Sequence, residues 1–193
     1  PAARISVSNT PMVHYPVALK IVSRSIAHKS DIGGVKLNIS DARMLQQASI
    51  DMLDSVSKHA AEARLEGLLL SEMITDGIET IVGIINDPCF GPVVVFGLGG
   101  TLAELMQDVT YRLAPFDIAT ARAMITELRA AKIFEGVRGA APCDVDALAH
   151  LLTATSQFAW AQRERVAEVD INPVLVRPRG LGALAADALI VLR

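Results

Sequence analysis

The sequence lacks several features that define common classes of protein. It has two cysteines, Cys89 and Cys143, and they lie in unrelated contexts without the spacing of metal ligands. Reduced thiols of this kind are typical of the cytoplasm, which is the localisation we expect. No uninterrupted apolar run approaches the length that crosses a bilayer, because glycine or aspartate breaks the longest candidates. We therefore expect neither a disulfide scaffold nor a membrane partner.

An excess of one charge is also absent. The chain has 18 Lys and Arg against 21 Asp and Glu, for a net charge of −3. Nucleic-acid-binding domains usually carry a basic field, so we expect no nucleic-acid partner. The sequence contains no Gly-Lys pair, which excludes a Walker phosphate loop.

The residues that are present predict a packed protein of mixed helix and strand. Hydrophobic residues make up 51% of the 193, which is enough for a sizeable core. Ser40 can cap a helix, because apolar side chains recur at helical spacing after it. These side chains are Leu45, Ala48, Met52, Val56 and Ala60. We expect this helix to cover one face of a sheet.

Strand patterns follow the first helix. The apolar runs LLLSEM and IETIVGIIN flank Asp76-Gly77, a strong turn signal, so we predict that they pair as a hairpin. Next, VVVF leads into Gly97-Leu98-Gly99-Gly100 and a helix from near Thr101. This run matches a dinucleotide fingerprint only in part, because Leu102 takes the last glycine position. A plain turn and an anion contact at the helix start both stay open.

The rest of the chain favours an α+β fold. Helices are predicted over 117–131 and 144–163, before two terminal strands, VAEVDINPVLVRP and ALAADALIVLR, that would pair. Clustered strands with helices laid against them are typical of the α+β class. We expect two lobes, residues 1–75 and 76–193, with a ligand site at their boundary.

A lysine in an apolar strand is the first candidate binding residue. In VALKIV, Lys20 lies on the face opposite to Val17, Leu19 and Ile21. The strand runs into a loop, 28–34, that ends in two glycines whose backbone amides could meet an anion. Two interpretations are open. Either Lys20 and the loop bind phosphate groups, or Lys20 is a solvated side chain followed by a hairpin that binds no ligand.

His28 in this loop has three possible roles. It could contact a phosphate, accept a phosphoryl group as a nucleophile, or be a surface histidine that does neither. Glu72 and Glu79 are expected to flank the hairpin turn. Each either binds ribose hydroxyls or is a solvated strand end.

The C-terminal carboxylates form the second candidate site. Glu168, Asp170 and Asn172 alternate along VAEVDIN and so share one strand face, and Asp187 in the opposing strand could complete the set. Magnesium is commonly held by one or two such groups plus phosphates. The alternative is the polar outer face of an antiparallel sheet.

Four separate motifs resemble those of a known family, in the same order. They are PVALKIVSRSIAHKSDIGGVKL, then SEM with GIETIVG, then DPCFGPVVVFGLGGTLAELMQDVTYRLAP, then EVDINP followed by a later aspartate. Together they resemble the ATP-grasp domain of the nucleoside-diphosphate-forming acyl-CoA synthetases, and they are similar to the succinyl-CoA synthetase beta chain. The resemblance covers nearly the whole chain and implies an ATP-grasp fold of two α/β lobes with nucleotide between them.

The resemblance also implies roles for the candidate residues. Lys20 would contact the phosphates of ATP, and the loop would close over them. Glu72 and the Met73 backbone would lie at the adenine hinge, with Glu79 near the ribose. His28 would carry a phosphoryl group between the nucleotide and a second phosphohistidine. The loop residues are Lys29, Ser30, Gly33 and Gly34, and the implied Mg²⁺ ligands are Asp170, Asn172 and Asp187.

The implied activity is that of an ADP-forming acid–thiol ligase. An acid, CoA and ATP would yield acyl-CoA, ADP and phosphate through an acyl phosphate. The CoA-binding and ligase domains are not in this chain, so we expect them upstream or on a separate alpha subunit, in an oligomer. The start at Pro1 suggests that upstream sequence is missing. The segment VSNTPMVHYPVA before the lysine is shorter than the family pattern implies, so either the chain is shortened there or residues are missing. Alternatives are a regulatory or vestigial module of a protein lysine acetyltransferase and a non-catalytic nucleotide-binding subunit.

Overall fold

The computed structural model describes residues 3–5, 14–23, 25–26, 29–100, 107–137 and 139–193. The chain divides into two compact units, Pro1–Thr75 (unit 1) and Asp76–Arg193 (unit 2). Within these described ranges, no helix has the length and apolar character needed to cross a membrane.

Unit 1 is an antiparallel sheet covered by one long helix. Its strands lie in the order β1-β4-β2-β3. The apolar faces of β2, β4 and the helix share one core, in which Leu19, Met52 and Leu70 are buried. The elements are β1 (Ala3–Ile5), β2 (Val17–Ser23), a 3₁₀ turn (Ser30–Ile32), β3 (Val35–Ile39), α1 (Ala42–His59) and β4 (Leu65–Glu72).

Helix α1 confirms the predicted apolar face but not the predicted cap. Leu45, Met52 and Val56 are buried, and Ala48 and Ala60 pack beside them. The N-cap is Asp41 rather than Ser40, because the Asp41 carboxylate accepts the Met44 N–H at 2.8 Å. Aspartate and serine cap about equally well, so sequence alone does not fix the choice between neighbours.

Unit 2 is a larger antiparallel sheet with helices on one face. The strand order is β10-β8-β5-β6-β7, and β9 also pairs with β8. Strand β7 was not predicted, whereas the terminal pairing of β8 with β9 and β10 was. The elements are β5 (Ile78–Asp87), β6 (Gly91–Leu98), β7 (Val109–Leu113), α2 (Ile118–Glu127), a 3₁₀ turn (Ala131–Glu135), α3 (Val145–Ala161), β8 (Val166–Val176), β9 (Ala183–Ala185) and β10 (Ala188–Leu192).

The core of unit 2 lies between its sheet and its helices. Val82 and Phe96 point from β5 and β6 toward Met124 of α2 and Leu152 of α3. We call this side of the sheet the core face and the opposite side the outer face. Alternation along the strands places every second residue of β5 and β6 on the outer face.

The predicted hairpin between the fourth and fifth strands is wrong. Strand β4 pairs with β1 and β2 on its two edges, and β5 pairs with β6 and β8. Most of β5 and the middle of β4 are thus hydrogen-bonded to other strands on both sides. Asp76 instead forms a bidentate ion pair with Arg177, at 2.8 and 3.1 Å. The Asp-Gly signal marks the chain's passage from one unit to the other.

Candidate functional site

Lys20 lies on the face of the unit 1 sheet that points away from α1. Val17, Leu19 and Ile21 are buried on the helix-covered face, as the alternation predicted. Lys20 is partly exposed, in register with Leu69 of β4 on one side and with Val35 of β3 on the other. The Lys20 backbone is therefore held between two neighbouring strands, and its side chain extends from the face opposite to the core.

The loop after β2 is held by its own backbone hydrogen bonds. The Gly33 N–H donates to the Ser30 carbonyl at 3.1 Å, and the Gly34 N–H donates to the Lys29 carbonyl at 2.7 Å. These two amides therefore point within the loop, which corrects the idea that they are open to an anion. The Lys29 and Ser30 side chains are partly or fully exposed and could still approach one. His28 lies outside the described residues.

Packing explains why the loop ends in two glycines. Gly33 has a φ of +72°, a left-handed conformation that favours glycine. A Cβ on Gly34 would lie 2.6 Å from Ile21 Cδ1 and 2.8 Å from the Lys29 carbonyl. The Ser55 hydroxyl, from α1, donates to the Ile32 carbonyl at 3.0 Å and anchors the 3₁₀ turn. The fold alone thus requires both glycines.

Glu72 and Met73 lie at the end of β4. Glu72 is exposed and in register with Val17 of β2. The Met73 N–H donates to the Pro16 carbonyl at 3.2 Å, and the Met73 sulfur accepts the Asn38 N–H at 3.1 Å. A contact from the Met73 backbone to a purine would therefore use the carbonyl oxygen.

Glu79 lies beside the glycine run of unit 2. Its carbonyl accepts the Gly99 N–H at 2.8 Å. Its carboxylate covers Gly100, since a Cβ there would lie 2.8 Å from Glu79 Oε2. A cavity of about 440 Å³ opens at this point, lined by Gly77, Ile78, Glu79, Leu98, Gly99, Gly100 and Ile133. Because β4 and β5 do not pair, Glu79 and Glu72 do not flank one turn.

The C-terminal polar residues meet where β8 and β10 begin to pair. The Asn172 N–H donates to the Asp187 carbonyl at 3.2 Å, so these residues face each other in register. Asp187 directly precedes β10 rather than lying within it, a small correction to the expectation. Asp170 is two residues before Asn172 and lies on the same face, in register with Leu189 of β10 and Gly83 of β5.

This part of β8 contains a bulge, which the regular polar face of an antiparallel sheet would not have. Thr80 pairs with Val174 and Val82 with Ile171, so two residues of β8, Asn172 and Pro173, lie opposite one residue of β5. Bulges of this kind re-aim side chains and are common beside active sites. Asn172 lies in the bulge and is exposed.

The chemistry of these residues fits magnesium. Carboxylate and amide oxygens are the hard donors that Mg²⁺ prefers, and it commonly takes one or two from the protein and the rest from phosphate and water. Within the described ranges, no group of three or more His, Cys, Asp or Glu side chains could hold a metal. The candidate Mg²⁺ ligands are two carboxylates, Asp170 and Asp187, together with the Asn172 amide, which is not one of those four residue types.

Carboxylates elsewhere have lowered pKa values for structural reasons. The Arg177 guanidinium lowers the pKa of Asp76 through their hydrogen bonds. The pKa of Asp117 is lowered by the Thr120 N–H at the start of α2. Asp144 caps α3, and hydrogen bonds from the Ala147 and Gly182 N–H groups lower its pKa. These groups stabilise unit 2.

A model of the ATP-grasp domain matches residues 5–192, so the chain belongs to the ATP-grasp family. Its relatives are ADP-forming acyl-CoA synthetases, as the resemblance predicted. It is 38% identical over 181 residues to the beta subunit of ADP-forming acetate–CoA ligase II from Pyrococcus furiosus, covering 94% of this chain and 77% of that one. It is 43% identical over 168 residues to ADP-forming acetate–CoA ligase I from Archaeoglobus fulgidus, covering 87% of this chain.

Solved structures agree with this assignment. Acetyl-coenzyme A synthetase 1 from Ca. Korarchaeum cryptofilum, in complex with coenzyme A and Ca-AMPCP, superposes with a TM-score of 0.91 at 37% identity, covering all of this chain and 85% of that one. PH1788 from Pyrococcus horikoshii gives 0.86 at 37% identity, covering 93% of this chain and 76% of that one. The chain spans 24% of the A. fulgidus ligase but 77% of the P. furiosus beta subunit.

Proposed function

We propose that this chain is the nucleotide-binding and phosphoryl-transfer part of an ADP-forming acyl-CoA synthetase. The whole enzyme would convert an acid, CoA and ATP into acyl-CoA, ADP and phosphate. Support comes from the relatives: one related structure contains coenzyme A and Mg-AMPPCP, and another has a phosphorylated phosphohistidine segment. The catalytic cycle also needs CoA-binding and ligase domains, upstream in the same polypeptide or on an alpha subunit.

The observation that carries the proposal is the pairing of Asn172 with Asp187 at the β8 bulge. It puts an amide and a carboxylate on neighbouring strands, with Asp170 one step along the same face. Mg²⁺ held there would neutralise charge on the phosphoryl group in transfer. Backbone pairing holds Asp170 and Asn172 of β8 in register with Leu189 and Asp187, so little backbone reorganisation would be needed when a nucleotide binds.

Unit 1 would supply the cationic contacts to the phosphates. Lys20 is held on a central strand, and Lys29 and Ser30 extend from a loop that its own hydrogen bonds keep in shape. Gly33 and Gly34 would serve by shaping this loop rather than by donating their amides. A lysine ammonium is a compact point charge that suits phosphate oxygens. Glu72, the Met73 carbonyl and Glu79 would contact the nucleoside.

His28 would be the residue that accepts the phosphoryl group. Its imidazole nitrogen would attack the terminal phosphorus of ATP and break the bond to the ADP leaving group. The phosphoryl group would then pass to a second histidine and on to the acid, forming the acyl phosphate. CoA thiolate would displace phosphate from that intermediate. This relay divides one transfer between distant substrates into shorter steps.

Binding of a nucleotide analogue tests the metal site directly. We would titrate the chain with AMPPCP by calorimetry, with Mg²⁺ and then with EDTA. Mg²⁺ should tighten binding, and Asn172→Ala and Asp187→Asn should each weaken the Mg²⁺-dependent part by about tenfold or more. Glu164→Gln is the matched control, because Glu164 is an exposed carboxylate next to Arg163 at another part of unit 2. Equal binding with and without Mg²⁺ would reject the metal site.

The lysine and histidine need separate experiments. Lys20→Ala should weaken AMPPCP binding, whereas unchanged affinity would reject its phosphate contact. For the relay, the chain would be combined with its CoA-binding partner and labelled ATP, and acid-labile phosphate on His28 would be sought. A His28→Ala enzyme that turns over normally would reject the relay. Nucleotide binding without any transfer would favour the non-catalytic alternative.

A further inference from the structure

Gly83 lies on the outer face of unit 2 and is the one residue of the run 80–85 of β5 that is not β-branched. Ile81, Gly83 and Ile85 occupy successive outer-face positions of β5, while Val82 and Ile84 are buried on the core face. A glycine in the interior of a strand weakens the strand, because glycine loses more backbone entropy on folding than other residues and has no side chain to pack. Such a glycine usually marks a bulge, a special backbone conformation or the close approach of another group.

The described structure excludes the first two explanations. Gly83 pairs in regular register with Val95 of β6 and Asp170 of β8, and the bulge of β8 is opposite Ile81. Its φ lies outside the positive range that favours glycine. A Cβ built on Gly83 would have its nearest neighbours at 3.6 Å, the Val169 carbonyl, and 3.7 Å, Val95 Cβ. These are ordinary van der Waals contacts, so the fold has room for a side chain.

The position of Gly83 indicates what approaches it. Along β5, Glu79 comes first, then Ile81 opposite the Asn172 bulge, then Gly83 opposite Asp170. At about 3.4 Å per residue, Gly83 lies roughly 14 Å along the strand from Glu79. A nucleotide with its ribose near Glu79 and its phosphates beside Asn172 would, if it continued along the strands, bring its last phosphate to the level of Gly83 and Asp170.

We propose that Gly83 is a specificity-determining residue whose missing side chain leaves space for the terminal phosphoryl group of a nucleoside triphosphate. This inference rests on the proposed nucleotide site. A β-branched side chain at position 83 would project between Val95 and Asp170, into the space where the phosphoryl group lies. The strand retains a less stable residue because the ligand needs the volume.

The experiment compares Gly83→Ala and Gly83→Val with the unmodified chain, using Mg-AMPPCP and AMP as calorimetric ligands. Gly83→Val should weaken Mg-AMPPCP binding by about tenfold or more, Gly83→Ala by less, and AMP binding should change by less than about twofold. Both variants should keep or raise the Tm, because valine and alanine suit a strand better than glycine. Leu113→Phe is the control, since it adds bulk to the outer face at the edge strand β7.

The outcomes separate this inference from the proposed function. If the unmodified chain binds neither ligand, the proposed function itself fails. If it binds both and Gly83→Val binds Mg-AMPPCP normally, Gly83 has no role in specificity. Equal loss of AMP binding would mean that the nucleoside, rather than the last phosphate, lies over Gly83. A clear fall in Tm for Gly83→Ala would show that the fold requires this glycine, and would overturn the inference.

Discussion

The loop 29–34 of unit 1 and the outer face of unit 2 use glycine for different reasons. Gly34 is buried against Ile21, and the loop cannot pack on β2 with a side chain there. Gly83 lies in a regular strand with room for a side chain. A glycine in a predicted site is therefore evidence of a ligand only after its local structural role has been tested.

Substituting Gly34 should give the largest effect on stability. In Gly34→Ala, the new Cβ would lie within 3 Å of both Ile21 Cδ1 and the Lys29 carbonyl. Overpacking of this kind typically costs about 1–3 kcal/mol, because backbone has to move. Urea denaturation followed by circular dichroism would measure the free energy of unfolding, with Gly83→Ala as the matched control. Equal stability of the two variants would remove the distinction between the two glycines.

Loss of the Ser55 anchor should have a smaller effect, confined to the loop. Ser55→Ala removes the hydrogen bond to the Ile32 carbonyl, worth about 1 kcal/mol. Since the backbone hydrogen bonds at Gly33 and Gly34 remain, we expect the loop to open more often without losing its fold. Hydrogen exchange should show lower protection of the Gly33 and Gly34 amides, with β5 and β8 unchanged. Unchanged protection in the loop would mean that Ser55 does not anchor it.

Residue periodicity predicted the parts of the fold that depend on neighbours in sequence. The buried face of α1 follows from helical spacing, and the side of β2 that carries Lys20 follows from alternation. The pairing of the terminal strands was predicted from the Gly-rich turn between two runs that are close in sequence. Strand partners depend on contacts distant in sequence, so the Asp76-Gly77 signal gave the wrong pairing. The register of β4 between β1 and β2 cannot be read from a turn motif.

In the candidate site, too, sequence predicted the features that depend on neighbouring residues and missed those that depend on distant contacts. Side chains in regular parts of strands, such as Lys20 and Asp170, were placed on the correct faces from sequence. The loop amides were not, because their direction depends on the Lys29 and Ser30 carbonyls that accept them. Gly83 was missed, although the pattern Ile-Val-Gly-Ile-Ile held a signal. The proposal for Gly83 depends on its register opposite Asp170, which the residue pattern along one strand does not give.

The smallest expected effect concerns pH, and it contrasts loop 29–34 with the turn after β8. In that turn, the Gly180 and Gly182 amides donate to the Asp144 carboxylate at 2.9 and 3.1 Å, whereas loop 29–34 is held by carbonyls that do not titrate. The Ala147 and Gly182 hydrogen bonds lower the pKa of Asp144 below its ordinary value of 3.8. Its contribution to stability is therefore complete above that value and is lost as the pH falls through the lower folded-state pKa.

Hydrogen-exchange protection factors between about pH 5 and pH 2.5 would test this contrast. Protection of Gly180 and Gly182 should fall at the acid end, while that of Gly33 and Gly34 should stay constant over the same range. In Asp144→Asn, the side-chain oxygen can still cap α3 but carries no charge, so the acid-dependent loss at Gly180 and Gly182 should disappear. The same acid-dependent loss in the variant would mean that another group controls the turn.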